Sequence, residues 1–273
     1  MNPKKSLPLW IRAGGLVAVA LILAFILLPV VVVTLASFND KALLSFPPQS
    51  WSWRWFERAF TYPDFQEGFR ASLVVTAWSS VLALMIGTAL AIAVKRMDFP
   101  GKRTLQAILL SPLVVPHFTL GLGLLILAAQ LDVERGYGLV ILCHIMLVLP
   151  FVLRSVYVSM ENLDVRLEQS AASLGASPAR VLVTITVPLL SPGLIGGWLF
   201  AAIMSFSEFT ASLFVTTQRT QTLPVSMYNY VREFADPTLA ALSVVYIVVT
   251  ATLLAIANSV LGLGRILNIE EAR

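Results

Sequence analysis

Residues 71–94 read ASLVVTAWSSVLALMIGTALAIAV, a run of 24 residues without an ionisable side chain. This length suffices to cross the hydrocarbon core of a bilayer, which takes about 20 apolar residues. The whole chain of 273 residues is 58% hydrophobic and 12% charged, whereas soluble domains carry about 25% charged residues. The composition excludes a soluble globular fold and predicts an all-α integral membrane protein. Five further stretches lack Asp, Glu, Lys and Arg: 13–39, 104–131, 136–153, 181–207 and 237–264.

These stretches predict six transmembrane helices in a single domain over residues 1–273, because the connections are too short to hold a separate core. The first run follows Lys4, Lys5 and Arg12 as a secretory signal would. It is nevertheless longer than the 7–15 or so apolar residues of such a signal, so we interpret it as a transmembrane helix. The predicted spans are 13–37, 71–94, 105–130, 136–156, 189–214 and 238–263.

The distribution of Lys and Arg predicts the orientation of the chain. With a cytoplasmic N-terminus, the segments on the cytoplasmic side carry 12 of the 19 basic residues. This bias agrees with the positive-inside rule and places both termini in the cytoplasm. The basic sequence pI of 9.4 then reflects the cytoplasmic loop ends and not an affinity for nucleic acid.

The loop from about residue 38 to 69, outside the membrane in this orientation, is rich in aromatic side chains. One interpretation is an aromatic belt at the membrane interface. The other is a docking surface for an extracellular partner, because the loop is longer than a simple reversal requires. The sequence does not decide between the two. The aromatic residues are Trp51, Trp53, Trp55, Phe56, Phe60, Tyr62 and Phe65.

Residues 161–188 connect the fourth and fifth spans and predict a helical hairpin. Good helix formers occupy 161–174, and Gly175 stands where a helix can end with a positive φ. Ser177 and Pro178 then provide an N-cap and a first helical residue for a second helix. Pro188 marks the place where this second helix must bend or stop.

The first helix of the hairpin is amphipathic and has small residues at its tip. Leu163, Leu167, Ala171 and Leu174 recur at helical spacing. Such a helix suits insertion into a groove on a partner. The alternatives are a helix that lies on lipid or packs on its own bundle.

The hairpin resembles the cytoplasmic EAA signature of ABC importer permeases, in which a Glu-Ala-Ala run precedes a Gly that is followed ten residues later by Ile and thirteen later by Pro. Gly175, Ile185 and Pro188 have this spacing. Gln169 and Ser170 depart from the signature, although Glu168 lies one residue earlier. Most of the chain also resembles the spermidine/putrescine permease subfamily. The motifs are Ser111-Pro112-Leu-Val-Val-Pro116, His144, Leu149-Pro150-Phe151, Asp164-Val-Arg-Leu, Thr222-Leu-Pro224 and Asp236-Pro237.

The resemblance implies a type I ABC importer permease (MetI-like) fold in a bacterial cytoplasmic (inner) membrane. It implies half of a translocation pore formed with a second permease, preferably a distinct one, together with two ATPase subunits and a soluble periplasmic or extracellular substrate-binding protein. The expected substrate is a polyamine or a related amino compound such as γ-aminobutyrate, an opine or an aminophosphonate. The residues expected to couple the chain to its ATPase are Glu168, Ala171, Ala172, Gly175, Ser177, Ile185 and Pro188.

The chain itself is predicted to be neither an enzyme nor a cofactor-binding protein. It has no Gly-x-x-x-x-Gly-Lys-Ser/Thr phosphate loop, so ATP and Mg²⁺ are expected on the partner ATPase. Two His and one Cys, far apart in the sequence, do not predict a metal site. An ATP-independent channel or facilitator, and an export permease, are the rival classes. Neither rival predicts the 161–188 signature.

Three polar residues are candidates for the substrate pathway: Glu208, Ser207 and His117. An ionisable residue at membrane depth is costly without a partner or water, so Glu208 is a candidate by default. It could instead pair structurally with Arg219 or Arg232. His117 follows Pro116 in a span that contains several Pro and Gly residues, and such interruptions are tolerated only against protein or a water-filled cavity. The resemblance implies an acidic residue at His117 and another at Ser207, and their absence weakens the expectation of a polyamine substrate.

Other intramembrane residues have structural interpretations. His144 is expected to hydrogen-bond between helices, and Cys143 to pack as a small apolar residue. The glycines at 193, 196 and 197 predict close packing, either against the partner permease or within the chain.

Overall fold

The computed structural model describes residues 9–42, 47–48 and 50–261. This part of the chain is helical and contains no strand, only an isolated bridge between Asn39 and Trp51. In chain order the α-helices are α1 (Leu9–Ala36), α2 (Arg54–Thr61), α3 (Pro63–Arg96), α4 (Lys102–Leu110), α5 (His117–Gln130), α6 (Tyr137–Glu161), α7 (Val165–Ser173), α8 (Pro178–Val181), α9 (Val187–Leu189), α10 (Ser191–Phe206), α11 (Ser212–Val215), α12 (Leu223–Glu233) and α13 (Thr238–Leu261).

Among the described residues, three helices are long and apolar enough to cross a membrane: Ala13–Ala36 within α1, α3 and α6. Two bent pairs raise the number of candidate spans to five. Lys102–Leu113 and His117–Gln130 meet at 107°, and Pro178–Leu189 and Ser191–Phe206 meet at 65°. The apolar run of α13, Thr238–Thr252, is shorter. These elements lie at the positions of the six predicted spans.

Two spans differ from their predicted bounds. The third, predicted as one helix over 105–130, is broken before Pro116, which has no N–H to donate into a helix. The fifth, predicted over 189–214, ends its main helix at Phe206. Local hydrogen bonding of Glu208, described below, ends this helix early.

The described residues divide into two compact units, one within 63–229 and 250–261, the other within 9–62 and 230–249. In the larger unit α3, α6 and α10 pack against one another. Their contacts depend on small residues. A Cβ at Gly87 would lie 2.9 Å from Val152 Cγ1, and one at Gly193 would lie 2.1 Å from Ser159 Oγ. The glycines of the fifth span were expected to pack either against a partner permease or within the chain. Gly193 packs within the chain, and so does Gly197, which lies against Ser155.

In the smaller unit, α2 packs its buried Trp55 and Phe56 against Ala241 of α13. The indole of Trp55 donates a hydrogen bond to the Asn39 carbonyl at 2.5 Å, and Arg58 pairs with Asp236 at 3.3 Å. The aromatic loop is thus divided: Trp55, Phe56 and Phe65 are buried, whereas Trp51, Trp53 and Phe60 are exposed.

Candidate functional site

The end of α10 is set by the side chain of Glu208. In a continuous helix the Ala211 N–H would donate to the carbonyl of Ser207, four residues earlier. Here it donates instead to Glu208 Oε1 at 2.7 Å. The chain is therefore unwound over 207–211 before α11 begins. The carboxylate that holds this break is buried, with 7% of its side chain exposed.

The second carboxylate oxygen of Glu208 contacts His117, the first residue of α5. His117 Nδ1 lies 2.7 Å from Glu208 Oε2, and the imidazole is 30% exposed. The structure thus brings together two of the three predicted pathway residues, 91 positions apart. The structural alternative named Arg219 or Arg232 as the partner of Glu208, whereas the carboxylate contacts His117.

Ser207, the third candidate, is exposed and bonds to its own helix. Its hydroxyl donates to the Ile203 carbonyl at 2.8 Å. This back-bonding to the preceding turn is a common conformation for serine in helices. Ser207 therefore lies next to the pair in sequence without being part of its hydrogen bonding.

A close backbone contact places α5 against the break. A Cβ at Gly121 would lie 2.7 Å from the carbonyl oxygen of Ala211 and 2.8 Å from its Cα. Backbone atoms cannot yield as a flexible side chain does, so only glycine fits here. Gly123, by contrast, has nothing within 4 Å of such a Cβ. The two glycines of this span therefore have different roles, which the sequence did not distinguish.

Buried hydroxyl groups surround His144, as the prediction of hydrogen bonding between helices requires. Its Nδ1 lies 2.8 Å from Ser205 Oγ, and its Nε2 lies 2.8 Å from Ser212 Oγ. Ser205 also contacts Ser79 Oγ of α3 at 2.8 Å. The prediction for His144 is confirmed, and the imidazole joins α6 to both sides of the break.

The hairpin has the predicted caps and turn. Ser177 caps α8 by accepting from the Arg180 N–H at 3.4 Å. Gly175 has φ +86°, its N–H donates to the Ala172 carbonyl at 2.9 Å, and the next N–H reaches Ala171 at 3.1 Å. These two bonds form a Schellman motif, which satisfies carbonyls at the end of a helix.

The first helix of the hairpin is shorter than predicted. It was expected over 161–174, but α6 continues to Glu161 and α7 begins only at Val165. Asp164 separates them, because its carboxylate accepts from the Arg166 N–H at 3.0 Å as an N-cap.

Pro188 lies in α9, directly after a widened segment of helix. Leu182–Thr186 forms a π-helix, and α9 follows directly over Val187–Leu189. Pro188 has no N–H for the carbonyl four residues earlier, which accounts for the disturbed bonding of this turn. The predicted bend is present two residues later, at Leu190, where the 65° angle opens. Ile185 is half-buried in the π-helix.

Glu168 is anchored within its own chain. Its Oε1 accepts from the guanidinium of Arg96, at the end of α3, and from the Thr186 hydroxyl at 2.5 Å. Thr186 is fully buried, and Arg96 also reaches its hydroxyl at 3.3 Å. The glutamate of the hairpin therefore connects α7 to α3 and to the π-helix that leads into α10.

The tip of the hairpin is open. Leu174 is 89% exposed and Leu167 48% exposed. Ala172 and Gly175 are exposed as well, and nothing in the described chain lies within 4 Å of a Cβ at Gly175. An exposed apolar tip on a rigidly capped turn is a surface suited to a protein partner.

Sequence reasoning missed Arg96, Thr186 and the serines at 79, 205 and 212. In the sequence, Arg96 is one of the basic residues that follow the apolar run 71–94. The hydroxyl groups do carry a signal in the sequence, because small polar residues in an apolar span mark contacts between helices. The side-chain partners of the three serines lie 61 to 126 positions away and could not be read from spacing.

Known proteins resemble this chain in sequence and in fold. The permease protein PotC of the spermidine/putrescine transport system of Haemophilus influenzae is 27% identical over 236 residues, 86% of this chain and 91% of that protein. The permease protein PotI of the putrescine transport system of Escherichia coli K12 is 28% identical over 245 residues, 87% of each. A bacterial ABC transporter involved in the import of the acidic polysaccharide alginate contains a chain with TM-score 0.71 and 16% identity, covering 94% of this chain and 99% of that one.

The last likeness confirms the predicted fold class, an all-α ABC importer permease fold. The matching family is described as the binding-protein-dependent transport system inner membrane component, and the match extends over residues 83–263. Because this match covers more than half of the sequence, the chain belongs to the family of inner membrane permease components of binding-protein-dependent transport systems.

Proposed function

We propose that this chain is the non-catalytic membrane subunit of an ATP-driven importer and forms half of its pore. A second, distinct permease supplies the other half, two ATPase subunits bind on the cytoplasmic side, and a soluble binding protein delivers substrate from outside. Both termini of the chain are cytoplasmic in this arrangement. The family match and the absence of a phosphate-loop motif support a division of labour between this chain and a separate ATPase.

The hairpin carries the coupling. Its exposed tip at Leu174 and Gly175 meets the ATPase, and closure of the ATPase pushes α7 as a rigid body. Because Glu168 joins α7 to Arg96 and Thr186, the displacement reaches α3 and α10 together. The pore then alternates between inward-facing and outward-facing states, and the substrate escapes inward after hydrolysis.

The substrate is a polyamine, and the buried carboxylate of Glu208 is the observation that carries this proposal. Glu208 is 7% exposed, and its neighbour His117 is 30% exposed. An anion at this depth attracts a cationic amine strongly, because the local dielectric is lower than that of water. The names of PotC and PotI, the spermidine/putrescine and putrescine permeases, agree with a substrate of this class.

A smaller zwitterion such as γ-aminobutyrate is the second candidate, and the position of His117 favours it. The imidazole whose Nδ1 lies 2.7 Å from Glu208 places Nε2 beside the anion, and Nε2 is a further donor when the ring is protonated. One carboxylate with one donor matches an amino acid better than a diamine. An opine or an aminophosphonate has the same combination of groups.

Uptake tests the substrate class. Labelled putrescine and labelled γ-aminobutyrate are supplied in parallel to cells with the complete gene set, with and without this chain. We expect chain-dependent uptake of putrescine. Chain-dependent uptake of γ-aminobutyrate alone establishes the second candidate. If removal of this chain lowers the uptake of neither compound, both candidates are contradicted.

Glu208→Gln tests the site within the same assay. Loss of a hydrogen bond to a charged group costs about 1.5–3 kcal/mol, so we expect the KM for putrescine to rise at least about tenfold. Ser207→Ala is the matched control, because Ser207 is adjacent and its hydroxyl bonds only to its own helix. Equal KM values for wild type and Glu208→Gln contradict a role of Glu208 in binding.

A further inference from the structure

A continuous row of hydrogen bonds connects α3 to the backbone of Glu208. Ser79 Oγ contacts Ser205 Oγ at 2.8 Å, and Ser205 Oγ contacts His144 Nδ1 at 2.8 Å. His144 Nε2 contacts Ser212 Oγ at 2.8 Å, and Ser212 donates to the Glu208 carbonyl at 3.1 Å. All five residues are buried, and His144 is fully so.

The last bond determines the direction of the others. A serine hydroxyl has one hydrogen, and that of Ser212 is directed to the Glu208 carbonyl, which can only accept. Toward His144 the Ser212 oxygen must therefore accept, so His144 donates from Nε2. A neutral imidazole protonated at Nε2 has a bare Nδ1. The Ser205 hydroxyl then donates to Nδ1, and the Ser205 oxygen accepts from Ser79. The Ser79 hydroxyl also lies 3.4 Å from the Thr76 carbonyl, a longer contact than the 3.1 Å bond of Ser212 to Glu208, and we assign the directions from the shorter one.

We infer that His144 is a positioning residue for Glu208, and that it acts as the Nε2-protonated neutral tautomer through Ser212. The imidazole does not touch the carboxylate. It holds the Ser212 hydroxyl on the Glu208 carbonyl and so sets the backbone of the unwound segment from which the carboxylate meets His117. The inference rests on the proposed function in one respect, namely that Glu208 binds substrate.

Two features separate positioning from simple packing. Both ring nitrogens are used, and their partners lie on opposite sides of the break, Ser205 in α10 and Ser212 in α11. A packing histidine needs one partner on one neighbouring helix. Here the imidazole spans an interruption at which the Ala211 N–H donates to the Glu208 side chain and not to a backbone carbonyl.

The tautomer is tested by nitrogen NMR, which needs no substrate. The chain, labelled with ¹⁵N-histidine, is reconstituted with its unlabelled partner subunits in lipid nanodiscs. The chain has two histidines. The signals that disappear in the His144→Gln variant therefore belong to His144, and those that remain belong to His117. We expect His144 to show a protonated Nε2 and a bare Nδ1. An Nδ1-protonated ring or an imidazolium overturns the inference.

The KM and kcat of putrescine uptake test whether His144 positions Glu208 through Ser212. In Ser212→Ala the imidazole remains but its link to Glu208 is lost, and we expect the KM to rise about tenfold with little change in kcat. His144→Gln keeps an N–H near the position of Nε2 and is expected to stay within about threefold of wild type, whereas His144→Leu is expected to match Ser212→Ala. Unchanged KM in Ser212→Ala overturns the inference.

A double-mutant cycle with Glu208→Gln tests whether the effect of Ser212→Ala on the KM depends on Glu208. If Ser212 acts through Glu208, Ser212→Ala changes the KM by less than about twofold once Glu208 is already Gln. Multiplicative effects overturn the inference. If wild type takes up γ-aminobutyrate and not putrescine, the polyamine proposal fails separately, and the same cycle with γ-aminobutyrate still decides the role of His144.

Discussion

Replacing Arg96 with Ala should uncouple ATP hydrolysis from transport, although Arg96 lies outside the hairpin. Arg96 ends α3, and its guanidinium binds Glu168 of α7 and the Thr186 hydroxyl. Without it, α7 keeps its caps and its exposed tip and can still bind an ATPase. What is lost is the connection through which, in the proposed coupling, a displacement of α7 reaches α3.

The magnitude follows from the exposure of the pair. The Arg96 side chain is 37% exposed and that of Glu168 16% exposed, so solvent screening reduces the attraction between them. An exposed ion pair contributes about 0–1 kcal/mol, and a hydrogen bond to a charged group about 1.5–3 kcal/mol. We take about 1–3 kcal/mol for the connection, which corresponds to a change of roughly 5- to 150-fold in coupling.

The assay is the number of substrate molecules imported per ATP hydrolysed by the reconstituted complex, with the binding protein present. We expect Arg96→Ala to lower this ratio at least about fivefold while the complex remains assembled. Lys95→Ala is the matched control. Lys95 precedes Arg96 and pairs with Glu161 at 3.6 Å, with a more exposed carboxylate partner.

Charge-reversed variants test whether the ion pair itself provides the connection. Arg96→Glu should uncouple as Arg96→Ala does, and addition of Glu168→Arg should recover part of the ratio by restoring an ion pair. A normal import ratio in Arg96→Ala, or equal losses in Arg96→Ala and Lys95→Ala, would refute the assignment of this connection.

Further predictions concern the close contact at the break and the caps of the hairpin. Gly121→Ala should abolish most uptake, because its Cβ would lie 2.7 Å from the Ala211 carbonyl oxygen, whereas Gly123→Ala should leave uptake unchanged; equal uptake by the two variants would speak against the contact. Asp164→Ala and Ser177→Ala each remove an N-cap worth about 1 kcal/mol. Both should increase protease cleavage of the hairpin in membranes and reduce recovery of the ATPase on co-purification, and unchanged cleavage would show that these caps are dispensable.

Local features of the hairpin could be predicted from the sequence because their physics is local. The positive φ of Gly175 and the N-cap at Ser177 follow from residues within a few positions of each other. The bounds of α7 were less predictable. Residues 161–164 are compatible with helix, and only the Asp164 cap divides α6 from α7.

The candidate pathway residues could be predicted from the sequence as residue types, but their contact with each other could not. A carboxylate and an imidazole in apolar spans are unusual enough to single out Glu208 and His117. Their contact, however, depends on how α5 packs on the break at Gly121. The break arises because the Glu208 side chain replaces a backbone carbonyl as the acceptor for the Ala211 N–H. The periodicity of hydrophobic residues does not predict such a replacement.

The most direct test of the central claim is ATP-dependent accumulation of putrescine by proteoliposomes that contain the complete complex, compared with the Gly175→Arg variant. Gly175 has φ +86°, which a bulky L-residue adopts only with strain, and arginine would also change the exposed tip of the hairpin. The account predicts that wild type accumulates putrescine only with ATP. It also predicts that the variant remains in the membrane, loses its ATPase on purification and accumulates none. Uptake that needs no ATP and survives Gly175→Arg would contradict the account and indicate a channel or facilitator.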